Sequence, residues 1–88
     1  MANRVRAKVT RLFVHKKGIS IRLDLPKSQQ PKGANYFHLE PNHPNYDALY
    51  SLALTAAVNR LVLDIRILGG EDITDVERPR IHYMVIDW

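Results

Sequence analysis

One helical run stands alone in a chain whose other periodic segments alternate. In residues 43–60, HPNYDALYSLALTAAVNR, the polar side chains Asp47, Ser51, Thr55 and Asn59 recur every four positions. That spacing predicts a helix with one narrow polar stripe. Between the polar positions stand Tyr46, Leu49, Tyr50, Leu52, Ala53, Leu54, Ala56, Ala57 and Val58, all apolar or small. A surface helix ordinarily carries an apolar stripe of somewhat over ~100°. Here the apolar arc takes the larger part of the circumference. Asn42 is placed to cap the N-terminus, Pro44 suits the first turn, and Asp47 complements the positive end of the dipole. A helix this apolar needs cover on more than one side, and 88 residues leave little chain to provide it.

The remaining segments read as strands. Val5, Ala7 and Val9 alternate with Arg4, Arg6, Lys8 and Thr10, and then the phase slips so that Leu12 and Val14 become the apolar pair with Phe13 between them. A phase slip inside a strand predicts a β-bulge and a bend from one face to another. His15-Lys16-Lys17-Gly18 reads as a hairpin turn, with Gly18 able to take a positive φ. In the second strand Ile19, Ile21, Leu23 and Leu25 point inward, while Ser20, Arg22 and Asp24 point outward until Pro26 ends it. The polar stretch 26–35 is a loop. Residues 36–40 form a short third strand with Phe37 and Leu39 inward and Tyr36 and His38 outward. After the helix, Leu61, Leu63, Ile65 and Ile67 mark a fourth strand, ended by Gly69-Gly70. A long loop, 69–79, carries Glu71, Asp72, Asp75 and Glu77. The final run, RIHYMVIDW, is apolar on both faces, with Ile81, Tyr83 and Val85 on one and Met84, Ile86 and Trp88 on the other.

Size and composition narrow the function. The length allows one domain, 1–88, whose core is marginal without a staple. There are no cysteines, which removes disulfides and Cys-ligated zinc and agrees with a reducing, cytoplasmic setting. No apolar run is long enough for a signal peptide or a membrane-spanning helix, so no membrane partner is expected. Net charge is +4, but residues 1–33 hold nine bases and the single acid Asp24. A basic half and an acidic half attract a polyanion, or attract each other between copies.

The order β-β-β-α-β-β, with a bent first strand and the helix between strands three and four, resembles the OB-fold, a five-stranded Greek-key barrel. Chain length and helix position are also similar to the B subunits of pentameric bacterial toxins, although those subunits are exported and usually carry a disulfide. A ferredoxin-like α+β fold needs two helices, and one is found. The OB resemblance implies an oligonucleotide- or oligosaccharide-binding surface on strands two and three with their flanking loops.

Two sets of residues follow. Leu49, Leu52, Leu54 and Val58 on the helix, with Met84, Ile86 and Trp88 on the last strand, are the expected interface of a homo-oligomer, since exposed apolar surface of this kind marks contact sites. Arg4, Arg6, Lys8, Arg22, Tyr36 and His38 are the expected face for a nucleic acid or other polyanion, where cations meet phosphates and a flat ring stacks on a base. No catalytic constellation is found. Ser20, Ser28 and Ser51 lack an evident His and acid pair, no Gly-rich phosphate loop appears, and Asp24, Asp64 and Asp87 occupy outward positions where solvation is the default. His38, Glu40 and His43 stand as HLEPNH, which lacks the spacing of a zinc helix, and the acidic loop lacks that of an EF-hand. No cofactor or metal is expected. The sequence therefore indicates a small OB-like protein that self-associates and acts by binding, with salt-dependent binding of single-stranded nucleic acid as the alternative.

Overall fold

The computed structural model describes residues 3–88 as five antiparallel strands in one sheet, with a single α-helix. Strand β1 is Arg4–His15, β2 is Gly18–Leu23, β3 is Phe37–Leu39, β4 is Val62–Ile67 and β5 is Ile81–Ile86; helix α1, Tyr46–Val58, lies between β3 and β4. The spatial order is β3-β2-β1-β4-β5.

The long central strand serves two neighbours because it bends. Its first half pairs with β4, from Arg4 opposite Arg66 to Lys8 opposite Val62. Its second half pairs with β2, and the register shifts between Val9 and Arg11. The expected bulge is therefore at Thr10, whose hydroxyl donates to the Arg22 carbonyl at 3.2 Å. An extra residue exchanges the two faces of a strand. Val5 points into the core before the bulge, Leu12 packs against the core after it, and Phe13 is turned outward. The Lys16-Lys17 turn closes the hairpin between His15 and Gly18, which has φ 131°.

Ile19, Ile21, Leu23, Phe37, Leu39, Leu63 and Ile65 fill the interior. Helix α1 packs against β1, β4 and β5 through Leu49, Ala53 and Ala56, all buried. The two alanines let the helix backbone lie close to the sheet. Tyr46, Tyr50 and Leu52 flank this contact, partly buried against the same core.

Four expectations need correction. The helix starts at Tyr46 after Asn45, whose side chain makes no capping bond, so Asn42 and Pro44 lie in the preceding turns. In β5 a register shift opposite Arg66 and Ile67 places Ile81 on the same inward side as Met84, leaving His82 and Tyr83 outside. Ser20 is outward by phase yet buried, because His15 covers it. Asp64 is not a solvated strand carboxylate; it is only 2% exposed.

The hydrogen-bonded ladder also stops short of closing. Strands β3 and β5 stand at opposite edges of the sheet, and among the described residues isolated parallel bridges join His38 of β3 to Arg80, just before β5, and Lys32 to Glu77 in the loops that precede the two strands. The His38 N–H donates to the Pro79 carbonyl at 2.9 Å. Pro79 has no N–H to return, and β3 spans only Phe37–Leu39, so a continuous ladder has nowhere to propagate.

Candidate functional site

The bulge at Thr10 assembles a surface that crosses three strands. Phe13 is opposite Ser20, and Ser20 is opposite His38, so one outward row runs from β1 through β2 to β3. Its rings lie close together. Phe13 and His15 have centroids 5.0 Å apart, and His15 stacks on His38 at 5.9 Å with planes inclined by 27°. Next to them the Arg22 guanidinium sits 4.6 Å from the centre of the Tyr36 ring. Arg11 is opposite Arg22, and Lys16 and Lys17 project at the turn. Phe13 is 49% exposed. A large ring left half in water on a strand surface is available to stack on a flat partner.

Polar groups fix this surface. The Lys17 backbone N–H donates to His15 Nδ1 at 3.3 Å, so the neutral ring carries its hydrogen on Nε2. That Nε2–H then donates to Ser20 Oγ at 3.1 Å. The arrangement holds Ser20 in place, but it is the wrong tautomer for taking a proton from the serine. Burial holds the His38 imidazole below its ordinary value of 6.5; His15 and Arg78 act in the same direction and Glu40 opposes them. Arg22 Nε, His38 Nδ1 and Asn35 Oδ1 are buried with no hydrogen-bond partner among the described residues. Such atoms are costly in an isolated chain, and all three lie on β2, on β3 or just before β3.

The residues expected on this face divide into three groups. Arg22 is in contact with Tyr36, and His38, two residues further on, lies against His15. Arg4 and Arg6 are instead committed to Asp64 across the β1–β4 pair. Arg4 donates from Nε at 2.9 Å and from Nη2 at 2.6 Å, and Arg6 Nε approaches to 3.7 Å. The hydrogen bonds to Asp64 raise the Arg4 pKa further. Lys8 is exposed and forms no ion pair among the described residues. Phe13 and His15 were missed as members of the site. The signal was present, because the phase slip that turns Leu12 inward must turn its neighbours outward.

The expected interface residues also separate. Leu49 and Met84 are buried in the chain's own core, while Leu52 and Ile86 pack partly against it. Leu54 and Val58 remain outside, Val58 by 72%, and Trp88 is almost wholly exposed.

His43, weighed as a metal ligand, ties the helix start to β5. Its Nδ1 accepts from the Asn45 N–H at 3.0 Å and its Nε2–H donates to the His82 carbonyl at 2.9 Å. A cleft of about 590 Å³ lies there, crossed by the Arg80–Glu40 ion pair at 3.4 Å. Asp72 accepts from the Thr74 backbone and hydroxyl and so caps a 3₁₀ turn, Ile73–Asp75, in the acidic loop. Among the described residues no three of His, Asp and Glu converge as metal ligands, and no helix is long and apolar enough to cross a membrane. No family model, curated protein or solved structure matches the chain.

Proposed function

We propose that this chain is an OB-like five-stranded barrel that binds single-stranded nucleic acid on the outer face of β1, β2 and β3. The observation that carries this reading is the ring row Phe13–His15–His38 beside the Arg22–Tyr36 stack, flanked by Arg11, Lys16 and Lys17. Bases stack on the exposed ring, and the cations take the phosphates. Strand order, the position of the helix and the parallel bridge from His38 of β3 to Arg80, just before β5, support the barrel reading. The tautomer of His15 favours binding over chemistry at Ser20.

A labelled oligothymidylate titrated at several salt concentrations tests the proposal. Affinity is expected to fall steeply with salt and to vary little with base sequence. Replacing Phe13 by Ala should remove one stacking contact, worth ~1–3 kcal/mol, without altering the fold. Absence of any shift at low salt, or indifference to Phe13→Ala, would exclude this face.

A second reading is self-association through α1. The exposed Leu54 and Val58 support it, because each leaves unrealised a part of the ~1.5–3 kcal/mol that full burial of such a side chain supplies. The two readings are compatible, since an oligomer would array several copies of the outer face.

A further inference from the structure

We propose that the unpaired edge of β1, from Arg11 to His15, accepts an extended acidic segment of a partner protein as an added strand. Strand β4 accompanies β1 only as far as Lys8, opposite Val62. From Arg11 to His15 the chain is held on one side alone, by β2. Backbone groups alternate sides along an antiparallel strand. About half of the N–H and C=O groups in this stretch therefore point away from β2, and no backbone group among the described residues pairs with them. A row of that kind is a template for another strand. The end of α1 runs beside it and leaves a groove of about 420 Å³, lined by Val9, Thr10, Arg11, Leu12, Ala57 and Arg60.

Charge selects the occupant. Arg11 and Arg60 line the groove, Lys16 and Lys17 follow at the turn, and no acidic side chain lines it. Neither arginine has an acidic partner among the described residues. Arg60 adopts φ 57° at the position after the helix where glycine sits at lower cost, so the groove carries its second cation at a strained backbone position. Two copies pairing antiparallel through this edge would set Arg11 of one against His15 or Lys16 of the other, and like charges directly opposed repel. A nucleic acid offers phosphates to the arginines but no strand backbone to the edge. An acidic strand with alternating apolar residues supplies both, with an apolar contact for Val14, which is 58% exposed.

The probe is the peptide acetyl-Glu-Ile-Glu-Val-Glu-Ile-Glu-amide, added to the full chain at low salt. Backbone amides within Arg11–His15 are expected to gain protection from hydrogen exchange. A peptide with Lys in place of Glu should give none, and N-methylation of alternate peptide residues should abolish binding. Arg60→Gly should weaken the acidic peptide about tenfold while leaving the chain at least as stable, which separates the charge effect from unfolding. The proposal fails if the peptide does not bind, if it binds without protecting these amides, or if Arg60→Gly leaves its affinity unchanged. It also fails if the same amides are protected by a second copy of the chain without peptide.

Discussion

A methyl group at Gly18 would run into the carbonyl oxygen of Leu39, and the φ of 131° there is one that L side chains rarely adopt. Gly18→Ala should therefore destabilise the chain by about 2–3 kcal/mol, lowering the melting temperature by ~10 °C or more in a domain this size. His38 gives a pH dependence of known sign. Its folded-state pKa lies below 6.5, so in the range between the two values the unfolded chain binds more protons. The stability it contributes is complete above pH 6.5 and is lost as the pH falls through the folded value. Thermal unfolding followed from pH 7 toward 5 should show a decline that His38→Gln flattens; equal slopes in the two proteins would exclude His38 as the source. Asp64 marks the limit of what residue type and phase convey. Alternation placed it correctly on the outward side of β4, but only the β1–β4 register shows that Arg4 and Arg6 lie beside it and cover it.

The helix is the element on which sequence reasoning was most demanding. Its C-terminus forms a Schellman arrangement, with the Leu61 N–H donating to the Ala56 carbonyl at 2.9 Å and the Arg60 N–H to the Ala57 carbonyl at 3.4 Å. Arg60 takes the left-handed position. Glycine there should stabilise the chain by about 1 kcal/mol, read as a higher urea midpoint with an unchanged slope. The polar stripe at every fourth residue is real, but Leu54 and Val58 stand among its members on the wet side of the wheel. One apolar face, Leu49, Ala53 and Ala56 with the flanking Tyr46 and Leu52, is met by the chain itself. The arc read from the sequence was thus wider than one contact needs, by two residues.

For the whole molecule, those two residues decide between a monomer and an assembly. If α1 meets a neighbouring copy, light scattering at micromolar concentration should give more than the mass of one 10.2 kDa chain. Leu54→Glu and Val58→Glu should each reduce that mass and leave the melting temperature within a few degrees, since both side chains are already exposed. Leu52→Glu should instead cost several kcal/mol, because it places a charge against the core. A mass equal to the single chain at every concentration would leave Leu54 and Val58 as ordinary exposed surface.

Local pattern was enough for element order, the bulge near Thr10, the hairpin glycine and most of the inward residues, because periods of 2 and 3.6 are imposed by backbone geometry and written directly into side-chain type. It also placed Arg22, Tyr36 and His38 on one surface, since all three share the outward phase of adjacent strands. Three features depended on tertiary structure. Register between distant segments committed Arg4 and Arg6 to Asp64, the approach of His15 to His38 built the ring row, and the start of β4 at Val62 left one edge of β1 bare. Each is set by where strands far apart in the chain begin and end against one another, and no periodicity within a single segment carries that information.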